Sequence, residues 1–147
     1  MNLRLRHAPV FGALLCGLAL LPGCGEGRPA LVKASGSIII DGKALEKGYI
    51  QVLPANARPA TATIKPGGQF VLGTFTEDDG VVPGKHKVTV VSVDEANGMR
   101  TFGCPASYGD PLTSGLEITV DEPTDTLLLQ LSWKGQKPVV EKVIKEF

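Results

Sequence analysis

Four sets of side chains in this 147-residue chain carry groups capable of chemistry: the thiols Cys16, Cys24 and Cys104, the imidazoles His7 and His86, the carboxylate run Glu77-Asp78-Asp79, and the aromatic residues Tyr49, Tyr108 and Trp133. A nucleophilic thiol needs an activating base. No base adjoins Cys104 in the sequence, so an inert loop or semi-buried thiol is expected there. One histidine outside the N-terminal segment cannot complete a Ser-His-Asp set, and with Cys104 it falls short of the four ligands of a structural zinc site. Calcium needs six to eight oxygens, and the spacing of a calcium-binding helix-loop-helix is absent around Glu77-Asp78-Asp79. That run reads as a solvated turn. The glycines sit at turns between strands and not between strand and helix, which removes a phosphate loop. Tyr49, Tyr108 and Trp133 would stack on a sugar if exposed, but Trp133 continues an apolar alternation and is expected in the core or at its rim. The residues therefore predict no enzyme, no catalytic residue, no cofactor and no metal.

Cys24 carries the sharpest expectation. Arg4 and Arg6, with His7 beside them, form a positive start, and Val10 to Leu21 is an uncharged apolar run of 12 residues. As a helix this run spans about 18 Å, well short of a bilayer's hydrocarbon core. It reads as an export signal and not as a permanent membrane span. Leu21-Pro22-Gly23-Cys24 then resembles the lipobox cut by lipoprotein signal peptidase, although Pro22 departs from the small or apolar residue usual there. The competing reading is an ordinary secreted chain with an incidental cysteine. The lipobox reading makes 1–23 a cleaved signal, Cys24 the acylated N-terminus, 24–33 the lipidated cysteine and a short tether, and 34–147 one domain. Two or more acyl chains suffice for stable anchoring.

Removing 1–23 takes away Arg4 and Arg6 and no acid, leaving 13 basic against 15 acidic residues, a net charge of −2. Such a chain has no electrostatic footprint for nucleic acid. It also lacks a Lys/Arg run for direct binding to anionic lipid. Cys104 is left without an intrachain partner, so no disulfide framework is expected.

From Val32 onward the chain reads as strands divided by turn residues. Seven are expected: Ser37–Ile40, closed by Asp41-Gly42; Tyr49–Leu53; Ala60–Ile64; Gln69–Phe75, after Pro66-Gly67-Gly68; Lys85–Val93; Leu116–Val120; and Leu127–Trp133. The period of two puts His86, Val88 and Val90 on one face and Lys85, Lys87 and Thr89 on the other. Residues 77–84 read as a loop and 94–114 as a long connection. Val139 to Phe147 reads as irregular or edge structure. Seven short strands at this spacing predict an all-β, two-sheet antiparallel sandwich.

Three segments together resemble a known family: Gly36-Ser-Ile-Ile-Ile-Asp-Gly-Lys-Ala-Leu45 followed by Gly48-Tyr-Ile-Gln-Val52; Gly67-Gly68-Gln-Phe70; and Asp79-Gly80-Val-Val-Pro83-Gly84-Lys-His-Lys-Val-Thr-Val90. Their order is similar to that of carboxypeptidase regulatory-like domains. It is closer still to small bacterial lipoproteins built from one such domain, which the stretch Tyr108 to Leu116 also resembles. The resemblance covers about residues 34–133 and implies a seven-stranded Greek-key β-sandwich, transthyretin-like. His86 stands where such domains often carry tyrosine, which implies a core or rim residue with a satisfied polar tip. Enzymes on transthyretin-like folds make other demands. Hydroxyisourate hydrolase-type proteins end in Tyr-Arg-Gly-Ser and use several histidines, and intradiol dioxygenases hold iron with two Tyr and two His; this chain has neither set. The expected function is that of a non-catalytic, membrane-anchored envelope lipoprotein acting as a structural or protein-interaction module, its domain facing the periplasm or exterior. Its partners would be the membrane, through the lipid, and an envelope protein or glycan. Asp78 and Asp79 in the first loop, and Phe102 and Tyr108 in the second, are the candidate contact residues. The alternative is a lipoprotein that binds glycan or peptide, through aromatics around Tyr108 and Trp133.

Overall fold

The computed structural model describes residues 27–142, which are all-β with two short 3-10 turns. The expected signal 1–23, the acylation site Cys24 and the tail 143–147 lie outside the described residues. The strands are β1 Ala34–Ile40, β2 Lys43–Ala44, β3 Gly48–Leu53, β4 Ala60–Ile64, β5 Gln69–Val71, β6 Gly84–Val91, β7 Val93–Ala96, β8 Met99–Phe102, β9 Leu116–Val120, β10 Thr124–Leu131 and β11 Val140–Lys142. Each of the seven expected strands has a counterpart, with β5 ending at Val71, short of Phe75. Four more are added.

One sheet has β1 at its centre. β10 lies along one side, and β5 and then β2 along the other. The β1–β10 pairing is parallel, with Ile38 opposite Leu129 and Ile40 opposite Leu131, so the expected purely antiparallel arrangement is corrected here. The second sheet runs β4-β3-β6-β9 and is antiparallel throughout. Alternation explains the core between them. Ile38, Ile40, Leu129 and Leu131 from the first sheet join Ile50, Val52, Val88 and Val90 from the second in one buried cluster. Phe70 and Leu72 close it beneath β5. Each such side chain contributes about 1.5–3 kcal/mol when fully buried.

Turn chemistry fixes the register. Asp41 and Gly42 both take positive φ, 47° and 79°, which is the two-residue hairpin geometry that joins β1 to β2. Gly36 has a different task. A β-carbon there would overlap the Leu127 carbonyl oxygen, so the close approach of β1 and β10 requires glycine.

The segment 94–114 is not a plain connection. Asn97 and Gly98, with φ 51° and 72°, turn a hairpin between β7 and β8, and β11 pairs with β8 to complete a third sheet, β11-β8-β7. Every residue of these three strands is exposed or half-buried. The hairpin prolongs β6 past Ser92, whose hydroxyl donates to the Lys47 carbonyl at 2.7 Å. Residues 103–110 then return along β6 and place Tyr108 against the end of β10. Val140–Lys142 therefore forms an edge strand.

Candidate functional site

The most developed concavity lies where β4 meets β5. Thr61 and Gly73 exchange both backbone hydrogen bonds, at 2.8 and 3.0 Å, and Lys65 N–H donates to the Gln69 carbonyl at 2.8 Å. This register sets Thr63 opposite Val71, yet the Thr61–Gly73 bridge is an isolated one. The ladder thus opens between its two closed ends. An open groove of about 410 Å³ occupies the gap, lined by Tyr49, Arg58, Thr63, Val71, Phe75 and Asp78 among others. Tyr49 is 45% exposed on the outer face of β3. Arg28 and Arg58 both lie over the Phe75 ring, at 5.0 and 5.8 Å from its centre. These cation–π contacts hold the ring in the groove wall.

Asp79 builds that wall. Its Oδ1 accepts from Thr74 N–H at 2.6 Å, and its Oδ2 accepts from Phe75 N–H at 3.0 Å and Thr76 N–H at 2.9 Å. Partial desolvation pushes the carboxyl's pKa up, but the N–H groups of Thr74, Thr76 and Phe75 and the Thr76 hydroxyl outweigh it, so the pKa is lowered. The Thr74 hydroxyl donates to the Gly80 carbonyl at 2.7 Å and closes the loop on itself. Asp79 is thereby an organiser of residues 73–80 and not a free contact group. Of the run Glu77-Asp78-Asp79, Glu77 and Asp78 line the groove. Among the described residues, no three His, Cys, Asp or Glu side chains stand close enough to hold a metal ion.

The second candidate loop is also committed to the fold. Tyr108 is 8% exposed, and its hydroxyl donates to the Ser132 carbonyl at 3.3 Å and accepts from Ser132 N–H at 3.1 Å. One phenol thus satisfies both backbone groups of the residue after β10. Phe102 packs half-buried against the core. Trp133 is buried, and its backbone N–H donates to Asp41 Oδ2 at 3.2 Å. The Ser132 hydroxyl and that N–H lower the Asp41 carboxyl pKa, against slight desolvation. Tyr49, Tyr108 and Trp133 do not make one platform. Tyr108 and Trp133 border a separate hollow of about 220 Å³, while Tyr49 belongs to the β4–β5 groove.

His86 is buried beside Gly84, with Nε2 2.7 Å from the Val82 carbonyl. Because a carbonyl only accepts, Nε2 carries the proton. Nδ1 is buried without a partner, so the polar tip is satisfied at one nitrogen and not at both. Cys104 is more deeply placed than a semi-buried thiol, at 2% exposed. Burial raises its pKa against the opposing Ser92 backbone hydrogen bond. The groove is lined by threonines, Tyr49, Phe75 and residues of both charges. Sequence reasoning missed it because Phe75 and Arg28 come together only through the fold. The Asn97-Gly98 hairpin was available as a sequence signal.

Compared with family models, with curated proteins and with solved structures, the chain matches none.

Proposed function

We propose that this chain is a non-catalytic, lipid-anchored envelope module whose work is to contact other macromolecules, built on a transthyretin-like seven-stranded Greek-key sandwich with an added three-stranded sheet. The observation that carries the reading is that added sheet, β11-β8-β7, whose residues bury little or nothing. Three strands gain independent stability from a hydrophobic face or from packing on a helix. A sheet that, apart from the half-buried Val93, Arg100 and Phe102, leaves its residues to solvent is best understood as a surface offered to something else. Met99 and Val140 lie among its exposed residues, interleaved with Asp94, Glu95, Arg100 and Lys142. The seven-strand reading is supported by the pairing orders β5-β1-β10 and β4-β3-β6-β9, to which β2, β7, β8 and β11 are additions. The address rests on the lipobox-like Leu21-Pro22-Gly23-Cys24 and the apolar run before it.

In-cell cross-linking of the full chain, with a Cys24→Ser control, tests this. A stoichiometric envelope partner that disappears in the control supports the module. Recovery of the chain alone, or of the control in the same membrane complex, defeats it. The ligand-binding alternative is favoured by one specific feature, the interrupted β4–β5 ladder flanked by Tyr49 and Phe75. Glycan fragments that co-purify with the wild type and are lost on Tyr49→Ala would put that reading first.

A further inference from the structure

We propose that the free edge of β10 pairs with β10 of a second copy of this chain, in antiparallel register about Leu129. The inference deepens the interaction-module reading and rests on it, but it does not need the lipid.

The direction of each backbone group follows from the β1–β10 ladder. The Leu131 carbonyl accepts from Asp41 N–H at 3.1 Å, so the backbone groups of Leu131 point toward β1. Peptide groups alternate sides along a strand. Leu129 and Leu127 therefore also point toward β1, whereas Leu128, Gln130 and Ser132 point away. The Ser132 contacts agree, since both its backbone groups meet the Tyr108 hydroxyl. Leu128 and Gln130 remain, each with an N–H and a carbonyl on the outer edge. Among the described residues no strand pairs with that edge.

This edge lacks the usual protection. Proteins blunt exposed edges with charge, proline, bulges or brevity. The Ala34–Gly36 register shift, Pro123 and Asp125 all fall at the start of β10. Leu127 to Leu131 carries no charge and no proline, and Leu128 is 52% exposed. The free edge of β9 is shorter and turns Glu117 and Thr119 outward. The free side of β4 is bridged by Gly73 at Thr61.

The edge is complementary to itself. With Leu128 opposite Gln130 of the second copy, and the reverse, the four groups on each strand make four hydrogen bonds about a two-fold axis. Tyr108 limits the length, because its hold on Ser132 ends the ladder at Gln130. A short ladder of this kind gives a reversible, concentration-dependent dimer.

Sedimentation of the full chain in detergent, between about 1 and 300 µM, reads the association directly. The expected result is a mass that rises from one chain toward two. Leu128→Lys puts a charge on the edge. Gln130→Pro removes a donor that points away from β1 and leaves the internal ladder intact. Each change counts twice in a two-fold dimer, so each weakens association by about a hundredfold or more. Leu112→Lys, at an 85% exposed loop position, leaves it unchanged. Amide exchange at Leu128 and Gln130 slows with protein concentration in the wild type, a readout that stands even where Gln130→Pro unfolds. A wild type that stays monomeric over the range overturns the proposal, as do edge variants that associate equally well. Capture of an unlike protein strand on a monomeric chain overturns the dimer and leaves the module reading standing. A dimer that brings no envelope partner upholds the pairing and counts against the wider role.

Discussion

Replacing Asp79 by alanine tests how the groove wall is held. Three backbone N–H groups, of Thr74, Phe75 and Thr76, lose their acceptor at once. The Thr74 residue is buried, so its N–H is the one water replaces least well. The other two recover solvent bonds, and the carboxylate itself is accessible, so the strength of a charged acceptor is not expected in full. With about 1 kcal/mol for the first and about 0.5 kcal/mol for each of the others, the loss is about 2 kcal/mol at pH 7. For a domain of this size that lowers Tm by about 8 °C. Asp79→Asn keeps one oxygen and loses the charge, and should cost about half as much. The pH dependence gives a second check. The folded pKa of Asp79 is lowered, so between it and the unfolded value the unfolded chain binds more protons. The stabilisation is fully present above the unfolded pKa, near ~3.9, and is lost as pH falls through the folded one. Asp41 also has a lowered pKa, but it titrates in both proteins and cancels in the difference. Urea denaturation of wild type and Asp79→Ala at pH 7 and near pH ~2 would measure this. A difference below about 0.5 kcal/mol at pH 7, or one that does not shrink in acid, refutes the role given to Asp79.

Tyr108→Phe keeps the ring and removes both bonds to Ser132, and should cost about 1–2 kcal/mol by urea denaturation, against about 3–5 kcal/mol for Tyr108→Ala. Gly36→Ala sets a methyl group against the Leu127 carbonyl and should destabilise the chain by about 3 kcal/mol or more, measured as lost Tm, while Gly42→Ala, at an open position with positive φ, costs about 1 kcal/mol. Cys104, buried and with a raised pKa, should resist a thiol reagent at pH 8 in the native protein and react on addition of denaturant, followed by mass spectrometry.

The strands that bury a face were legible in the sequence, because alternation is itself the signal. Leu116-Glu-Ile-Thr-Val120 and Lys85-His-Lys-Val-Thr-Val90 show it, and both became strands of one sheet. The exposed hairpin was not legible by that rule. Val93-Asp-Glu-Ala96 and Met99-Arg-Thr-Phe102 have no fully buried residue, and with Met99 exposed and Arg100 half-buried their hydropathy does not follow burial. The Asn97-Gly98 pair marks the turn regardless of burial, since both positions take φ above zero. The parallel partnership of β1 and β10 joins residues some ninety positions apart in the chain, and no local pattern encodes it. The candidate residues divide the same way. Asp79 was correctly placed in a loop, but its carboxylate turns back to the backbone, as Asp does in turns. Tyr108 lies in a polar stretch, yet the stretch crosses the end of the sandwich and the ring fills it.

The fold separates two ends, and the proposed anchor belongs to one of them. β1 and β10 run parallel, so Val32, Lys33 and Thr124 mark one end, and Asp41, Ser132 and Trp133 the other. Val32 bridges Val81, and Arg28 lies over Phe75, which places the start of the described chain beside the 73–82 loop. From Cys24 to Arg28 an extended chain reaches at most about 14 Å. With Cys24 acylated as proposed, the Arg28 backbone is held within that distance of the bilayer surface, and the Phe75 side of the groove lies one arginine side chain beyond it. The β11-β8-β7 sheet leaves from the opposite end, where Ser92 bonds Lys47 and residues 103–110 reach Ser132. A seven-residue strand puts about 23 Å between the two ends. The exposed sheet would therefore project away from the membrane, and the β10 edge would run between the two along the flank. A large partner can reach the sheet without meeting lipid, whereas the groove is open only to something small or to the headgroup layer itself. That geometry is why contact with macromolecules is proposed for the far sheet and the β10 edge, and not for the β4–β5 groove.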